Sequence, residues 1–119
     1  MTQIEKRLLL DRHKRYRLEA DLTELVQDWL SLQSDLYHKK ISDSFQKGIS
    51  DILICVRGFF VAAELKADDG TPSRHQIKFI DNIRRAGGIG DVCYTLNDVI
   101  VLVEQARKRD EAVMTCTRT

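Results

Sequence analysis

The sequence predicts one α/β domain built from a central mixed sheet of about four strands with helices packed against it. Two observations lead to this class. Three segments carry apolar residues at helical spacing, and four shorter apolar runs have the length of β-strands. The resulting order, α-β-β-β-α-β-α, places helices on a sheet. At 119 residues, the chain is long enough to bury a core.

The boundaries of these elements follow from local patterns. Apolar residues three and four positions apart define the helices, and a Gly-Gly pair at 87–88 marks the end of the second one. The helices are predicted at 18–33, at 73–86 and from Asn97 onward. The strands are predicted at 36–40, on the two sides of Arg57-Gly58 within 48–67, and at 91–96.

Composition excludes several classes of protein. With 43% hydrophobic and 31% charged residues, the chain is typical of a soluble globular protein. No apolar run is long enough to cross a membrane, and the charged N-terminus does not resemble a signal peptide, so we expect a cytoplasmic protein. Cys55 and Cys93 lie in apolar runs without metal-binding spacing, and we expect reduced, buried thiols.

Charge is distributed unevenly although the net charge is only +1. Residues 1–17 are predominantly basic, residues 18–37 carry acids and no base, and the region after 106 begins with three consecutive bases. We therefore divide the chain into a basic N-terminal segment (1–17), a folded domain (18–106) and a basic C-terminal tail (107–119). Basic ends could contact phosphates, but charge alone favours solvated, frayed termini.

Two acids and a lysine stand in the strand runs around Arg57-Gly58. A turn of two or four residues centred there places Asp51 opposite Glu64, whereas a three-residue loop would shift the pairing by one. Because side chains alternate along a strand, Asp51, Glu64 and Lys66 then share one face of the hairpin. The other face is wholly apolar and predicts the core.

Facing carboxylates repel each other unless a cation lies between them or one takes up a proton. Lys66 is one candidate cation, and Mg²⁺, which one or two carboxylates can hold together with phosphate oxygens, is another. Such a metal can generate hydroxide and stabilise charge on a phosphate. Spacing alone leaves an alternative of equal weight, a surface ion pair between Glu64 and Lys66.

These residues belong to a longer ordered pattern. It runs from Gly48 and Asp51 to Glu64-Leu65-Lys66 (E-x-K), then to Ser73-x-x-Gln76 and Gly87-Gly88. Over residues 18–106 this pattern resembles the VRR-NUC branch of the PD-(D/E)XK nucleases, although Ser50 stands where the superfamily name places proline. The resemblance implies a PD-(D/E)XK core and makes 18–106 the nuclease domain.

The resemblance also implies an activity. Members of this branch are Mg²⁺-dependent DNA endonucleases that hydrolyse phosphodiester bonds, and Mn²⁺ is expected to substitute for Mg²⁺. Small free-standing members are typically phage or bacterial homodimers that favour branched DNA such as four-way (Holliday) junctions. We therefore expect DNA and a second copy of the chain as partners, in the cytoplasm of a bacterium or a phage-infected host. No nucleotide cofactor or membrane partner is expected.

Site roles are assigned by the same resemblance. It makes Asp51 and Glu64 the metal ligands, adds the Leu65 carbonyl and a glutamate of the first helix, and gives Lys66 the task of assisting water. A helical wheel places Glu19 on the edge of the buried stripe and Glu24 on the solvent side, so we select Glu19. An acidic first turn favoured by the helix dipole is the alternative explanation.

Gln76 and three bases complete the predicted site. Ser73-x-x-Gln76 is a capping box, which needs no catalytic role, yet Gln76 also shares a helix face with Ile80 and so points toward the sheet. The resemblance favours a role for Gln76 near Lys66. The bases that could line a phosphate track are Lys47, Arg74 and Lys78, although each of them alone is more often a solvated surface charge. Two other functions remain open: a catalytically silent DNA-binding or assembly module, and a phage-encoded inhibitor of a host protein.

Overall fold

The computed structural model of the protein describes residues 1–41 and 51–117. Four helices and four strands occur in this part of the chain. The helices are α1 (Gln3–Leu10), α2 (Glu19–Ser31), α3 (Arg74–Arg85) and α4 (Leu96–Thr117). The strands are β1 (Leu36–Lys40), β2 (Ile52–Val56), β3 (Phe59–Leu65) and β4 (Ile89–Cys93). The predicted order is confirmed from α2 onward, and α1 is an additional helix.

The strands form one mixed sheet in the order β1-β2-β3-β4. The first two pairings are antiparallel and the pairing of β3 with β4 is parallel, with α3 as the crossover. Val56 pairs with Phe59 and Ile52 with Ala63, so the turn between β2 and β3 contains two residues, Arg57 and Gly58. The three-residue alternative is therefore wrong, and the predicted register is confirmed.

This turn requires positive φ angles at both central residues. Gly58 adopts φ +91° without steric cost, whereas Arg57 adopts φ +50°, which is unfavourable for a residue with a Cβ. Tertiary contacts hold Arg57 in place. Its Nε lies 2.9 Å from Asp35 Oδ2, its Nη1 lies 3.3 Å from Asp110 Oδ2, and its backbone N–H donates to the Asp35 carbonyl at 3.2 Å.

The core lies on the face of the sheet that carries only apolar side chains. Ile52, Ile54 and Val61 are at most 1% exposed, and they pack in one cluster with buried residues of α2 and α4. Helix α3 packs on β3 and β4 on the face that carries Glu64, which its Gln76 contacts, and it ends before Gly87, whose φ of +92° terminates the helix. The face bearing Asp51 and Glu64 is thus only partly covered.

The N-terminal segment is folded, which corrects the expectation of a frayed, solvated terminus. Helix α1 begins with a complete capping box, in which Thr2 and Glu5 satisfy each other's backbone N–H groups. Leu8 and Tyr16 are buried in the core cluster. Tyr16 also donates its hydroxyl to Asp11 at 2.9 Å, so the segment joins the domain through specific side-chain contacts.

The C-terminal tail continues the last helix. Helix α4 extends from Leu96 to Thr117, well past residue 106, where the sequence pattern of buried residues ends. Arg107 attaches the start of this extension to the domain, because it binds Asp35 through Nε and Nη2 at 2.9 and 2.8 Å. The Arg107 and Arg57 guanidinium groups lower the pKa of Asp35 to about 2. An ion pair therefore fixes the first part of the tail to the loop before β1.

Two further expectations have mixed outcomes. Cys93 is buried as predicted, but Cys55 is exposed, because it lies on the partly covered face of the sheet, and Cys116 is exposed on α4. The last strand ends at Cys93 rather than at 96. The backbone N–H groups of Tyr94 and Thr95 donate to Asp98 Oδ2 instead and begin α4. Among the described helices, none is long and apolar enough to cross a membrane.

Candidate active site

Glu64 is the only charged residue among the fully buried ones in the described part of the chain. Its side chain is 1% exposed, because β3 is an inner strand and α3 covers this end of the face. A carboxylate in such a place lacks the water that would normally solvate it. The ion pair of Glu64 with Lys66 considered from the sequence is present at 3.7 Å, but its placement at the surface is wrong, since Glu64 is inside the protein.

Asp51 is held next to Glu64 by strands on both sides. Its backbone carbonyl accepts a hydrogen bond from Ile41 N at 2.8 Å, which extends the pairing of β1 and β2 by one residue. Its Oδ2 accepts from the backbone N–H of Leu65 at 2.9 Å. The Asp51 carboxylate therefore has a defined position across the hairpin from Glu64, as the predicted register requires.

The two carboxyl groups perturb each other strongly. Burial, together with the charge of Asp51, raises the pKa of Glu64 to about 8, and Lys66 opposes this rise only partly. Among the described residues, Glu64 Oε2 has no hydrogen-bond partner. Two ionised carboxylates have no donor between them, so the arrangement is satisfied either by a proton on one acid or by a cation that both acids share.

Lys66 lies between two acids. Its Nζ is 3.7 Å from Glu64 Oε1 and 3.6 Å from Glu19 Oε1, and its side chain is only 16% exposed. Glu24, the rejected alternative on the first predicted helix, is 65% exposed and lies 3.7 Å from Arg7 instead. The structure thus brings Glu19 to the site and leaves Glu24 outside it, while the role of Glu19 stays a prediction.

Gln76 serves as a helix cap and as a partner of the buried acid. Its Oε1 accepts from the Ser73 backbone N–H at 2.8 Å, and its Nε2 donates to Glu64 Oε1 at 2.6 Å. The first contact fixes the orientation of the amide, because a backbone N–H can only donate and must face the oxygen. Both interpretations of the Ser73-x-x-Gln76 motif therefore hold together.

The donor set fits a hard divalent cation. Asp51 and Glu64 offer oxygen ligands on one face, and Glu64 Oε2 is a buried oxygen with no hydrogen bond from the described residues. Within residues 1–41 and 51–117, no group of three His, Cys, Asp or Glu side chains converges on one point. Magnesium does not need such a group, because it commonly takes one or two carboxylates together with waters and phosphate oxygens.

Two of the three predicted phosphate-binding bases lie in the described part of the chain. Arg74 and Lys78 are exposed on α3, the helix that carries Gln76, and they line one surface depression. Lys47, Gly48 and Ser50 lie outside the described residues. The assignment of Arg74 and Lys78 to a phosphate track stays a prediction, with their exposure and their position on α3 as its structural basis.

Sequence reasoning missed the contacts between the N-terminal segment and the loop after β3. The Asp68 backbone N–H donates to the Tyr16 carbonyl at 2.9 Å, and Arg15 donates from Nη1 to the Asp68 carbonyl at 3.2 Å. Asp68 follows Lys66 by two positions. Only the single aromatic residue within a basic run gave a signal that this segment packs on the domain.

Comparison with known proteins agrees with this description. A solved structure described as a VRR_NUC domain is similar to this chain, with a TM-score of 0.60 and 24% sequence identity. The similarity covers 72% of this chain and 94% of that domain. It shows the fold, and it confirms the predicted α/β core, a mixed four-stranded sheet with flanking helices. No protein-family model and no curated protein matches the sequence.

The buried acid pair predicts an unusual dependence of stability on pH in metal-free protein. The unfolded chain releases the Glu64 proton near its ordinary pKa of 4.5, whereas the folded protein keeps it up to about 8. In this window the folded state binds more protons, so the free energy of unfolding should fall as the pH rises. Denaturant unfolding across the window, with a chelator present, measures the slope.

Glu64→Gln removes the titrating group and should flatten this part of the profile. Glu24→Gln is the matched control, because Glu24 is an exposed acid that lies outside the site. It should keep the parent's slope. Equal slopes in the parent and in Glu64→Gln would show that Glu64 ionises normally in the folded protein.

Proposed function

We propose that this protein is a Mg²⁺-dependent DNA endonuclease that hydrolyses phosphodiester bonds, with Mn²⁺ able to replace Mg²⁺. One observation carries the proposal. A buried glutamate faces an aspartate across a hairpin, and a lysine and a glutamine are held against the same carboxylate. The fold of a VRR_NUC domain supports the choice of a nuclease over other hydrolases.

Asp51 and Glu64 are the proposed metal ligands, with the Leu65 carbonyl and Glu19 as further ones. When bound, magnesium supplies Lewis-acid stabilisation of charge on the phosphate and a hydroxide at neutral pH. The protein holds the two acids ready for this ion. Asp51 is fixed by the Leu65 N–H, and Glu64 is fixed by Gln76, so neither carboxylate has to be reoriented before binding.

Lys66 is proposed to act on the reacting groups. Its ammonium group lies within 3.7 Å of Glu64 and 3.6 Å of Glu19, and it is largely shielded from solvent. From this position it can orient the attacking water and neutralise the charge that develops on the phosphate. Cleavage would leave 5′-phosphate ends, as the resemblance to the nuclease superfamily implies.

Gln76 is proposed as a positioning residue rather than a reacting one. Its amide donates to Glu64 Oε1 and leaves Oε2 available, so it determines which oxygen of the acid can receive a cation. The capping contact with Ser73 prevents the amide from turning over, because the amide nitrogen cannot accept the Ser73 N–H. The position of α3 therefore fixes Gln76, and Gln76 in turn fixes the Glu64 carboxylate.

The finer parts of the proposal are a homodimer and a preference for four-way junctions. Resolving a junction needs two cuts, and a C2 dimer supplies two sites from one sequence. Of three apolar residues near the end of α2, Trp29 and Leu36 pack against the core, whereas Leu32 is 53% exposed and available to a second copy. We place this activity in the cytoplasm of a bacterium or a phage-infected host.

A catalytically silent DNA-binding or assembly module is the main rival, and an inhibitor of a host protein is the second. The complete set of Asp51, Glu64 and Lys66 argues against the silent module, because burying Glu64 beside Asp51 is unfavourable unless a cation or a proton offsets the charge. Binding of a host protein by a chain that never cleaves DNA would favour the inhibitor.

Asp51→Asn tests the proposed activity. The amide keeps the shape of the side chain but lacks the charge that would hold the metal, so cleavage should be abolished while the fold is kept. The measurement is the cleavage of linear, nicked, flapped and four-way-junction DNA, with and without Mg²⁺. Asp21→Asn, on an exposed residue of α2, is the matched control and should cleave like the parent.

Glu19→Gln should lower the cleavage rate by about tenfold or more, the usual cost of disturbing a group that supports a metal site. Glu24→Gln should have little effect, because Glu24 contacts Arg7 and not Lys66. Rates measured under the same saturating Mg²⁺ compare the two variants. The reverse order would mean that a different face of α2 serves the site.

Sedimentation at micromolar concentration tests the dimer. We expect a mass of two chains and faster cleavage of a four-way junction than of linear duplex of the same sequence. Leu32→Gln should shift the equilibrium toward single chains, because it places a polar group in the proposed interface. A monomeric parent that cuts linear and branched DNA equally well would leave a plain nicking endonuclease.

A further inference from the structure

The segment between α1 and α2 forms a basic strap at the edge of the candidate active site. We define the strap as residues 12–17. It carries one histidine and four bases, namely Arg12, His13, Lys14, Arg15 and Arg17. The metal-site proposal uses none of them, and their sequence alone gave no reason to place them near Lys66.

Backbone contacts fix the strap to two elements of the domain. The Tyr16 carbonyl accepts from Asp68 N at 2.9 Å, and the Arg12 carbonyl accepts from Asn97 N at 2.8 Å. Tyr16 is itself buried. The strap is therefore joined at one end to the loop that follows Lys66 and at the other to the start of α4.

Two of the four bases serve these contacts. Arg12 donates from Nε to Asn97 Oδ1 at 2.8 Å. Arg15 donates to the Asp68 carbonyl, and its guanidinium lies 4.8 Å from the centre of the Tyr94 ring. Their charges are used to dock the strap, so their removal would change the fold of the segment as well as its charge.

Lys14 and Arg17 are free to bind something else. Both are exposed, and in the described part of the chain neither makes an ion pair. The Lys14 ammonium group lies 4.8 Å from the centre of the Tyr16 ring, so it makes a cation–π contact but has no carboxylate partner among the described residues. Arg17 follows Tyr16 directly, and Glu19, two residues later, reaches Lys66 at 3.6 Å.

Arg17 lies between two residues that contact the end of β3 and the loop after it. The residue before it binds Asp68, and the residue two positions after it binds Lys66. Two residues span at most about 7 Å of chain, so the Arg17 backbone lies close to that of Glu19, whose side chain reaches Lys66. The strap thus places an exposed arginine beside the residue that contacts Lys66.

The site needs such charges if its substrate is a polyanion. Asp51, Glu64 and Glu19 repel phosphates when ionised, and within the described residues Lys66 is the one lysine that pairs with these acids. We propose that Lys14 and Arg17 bind DNA phosphates beside the scissile one, so that the strap is a phosphate-binding rim that positions the substrate. This inference rests on the proposed nuclease function and extends it to a part of the chain outside the predicted nuclease domain.

The test measures DNA binding in the catalytically inactive Asp51→Asn protein. Replacing Lys14 and Arg17 together by glutamine should reduce the slope of log binding constant against log salt by about 1.8, since each phosphate contact to duplex DNA contributes about 0.9. The matched control replaces Lys6 and Lys108, two exposed bases of α1 and α4, by glutamine. It should keep the parent's slope.

Two additional readouts separate charge from folding. The charge-conserving pair Lys14→Arg with Arg17→Lys should restore the slope. In the active protein the glutamine pair should raise KM with little change in kcat, because the rim binds ground state and transition state alike.

The outcomes distinguish the two proposals. A glutamine pair with the parent's slope, in a parent that binds and cleaves DNA, overturns the rim and leaves the nuclease standing. A charge-conserving pair that behaves like the glutamine pair also overturns it, because the effect would then come from packing. A parent that neither binds nor cleaves any DNA removes the nuclease function and the rim together.

Discussion

The two-residue turn at Arg57 and Gly58 sets the hairpin register on which the geometry of the candidate site depends. Its length places Asp51 across from Glu64, and a shift of one residue would turn Asp51 into the core and an apolar strand face toward solvent. The turn is not favoured locally, since Arg57 has φ +50°. Its stability comes from Asp35 and Asp110, which lie in the loop before β1 and in α4. The site geometry therefore depends on ion pairs on the far side of the sheet from the chemistry.

The fold holds the Glu64 carboxyl group in an unfavourable environment, buried and next to a second acid. A carboxyl group with almost no solvent contact and a neighbouring acid opposes folding whenever it is ionised, and its raised pKa reflects that cost. Lys66 and Gln76 offset only part of it, because Oε2 has no hydrogen bond from the described residues. A cation shared with Asp51 would satisfy both acids at once. The unfavourably buried acid is thus also a proposed metal ligand, as expected for a residue maintained for function rather than for stability.

Periodicity and alternation predicted the parts of the fold in which one face is apolar. The hairpin register, the direction of Gln76 and the choice of Glu19 over Glu24 all follow from which positions are buried. Cys55 was placed wrongly because an apolar run does not reveal that one face of the sheet is only partly covered. The extension of α4 was missed for another reason. It depends on polar contacts, such as Arg107 with Asp35, that join residues far apart in sequence and leave no periodic pattern. Helix α1 did leave a local signal, the Thr2-x-x-Glu5 capping box, which was not recognised in the sequence.

The basic run at the N-terminus is the most instructive of these cases. Charge alone suggested a solvated tail, because a run of bases offers no apolar face to bury. One tyrosine within the run changes the outcome: Tyr16 is buried, its carbonyl binds the loop after Lys66, and the chain that follows it begins α2 with Glu19 directed to the same lysine. The segment therefore connects two parts of the candidate site that come from separate strands and helices. The strap in this way attaches the N-terminal segment to the domain, and in the proposed function it also supplies the bases that attract a phosphate to an acidic site.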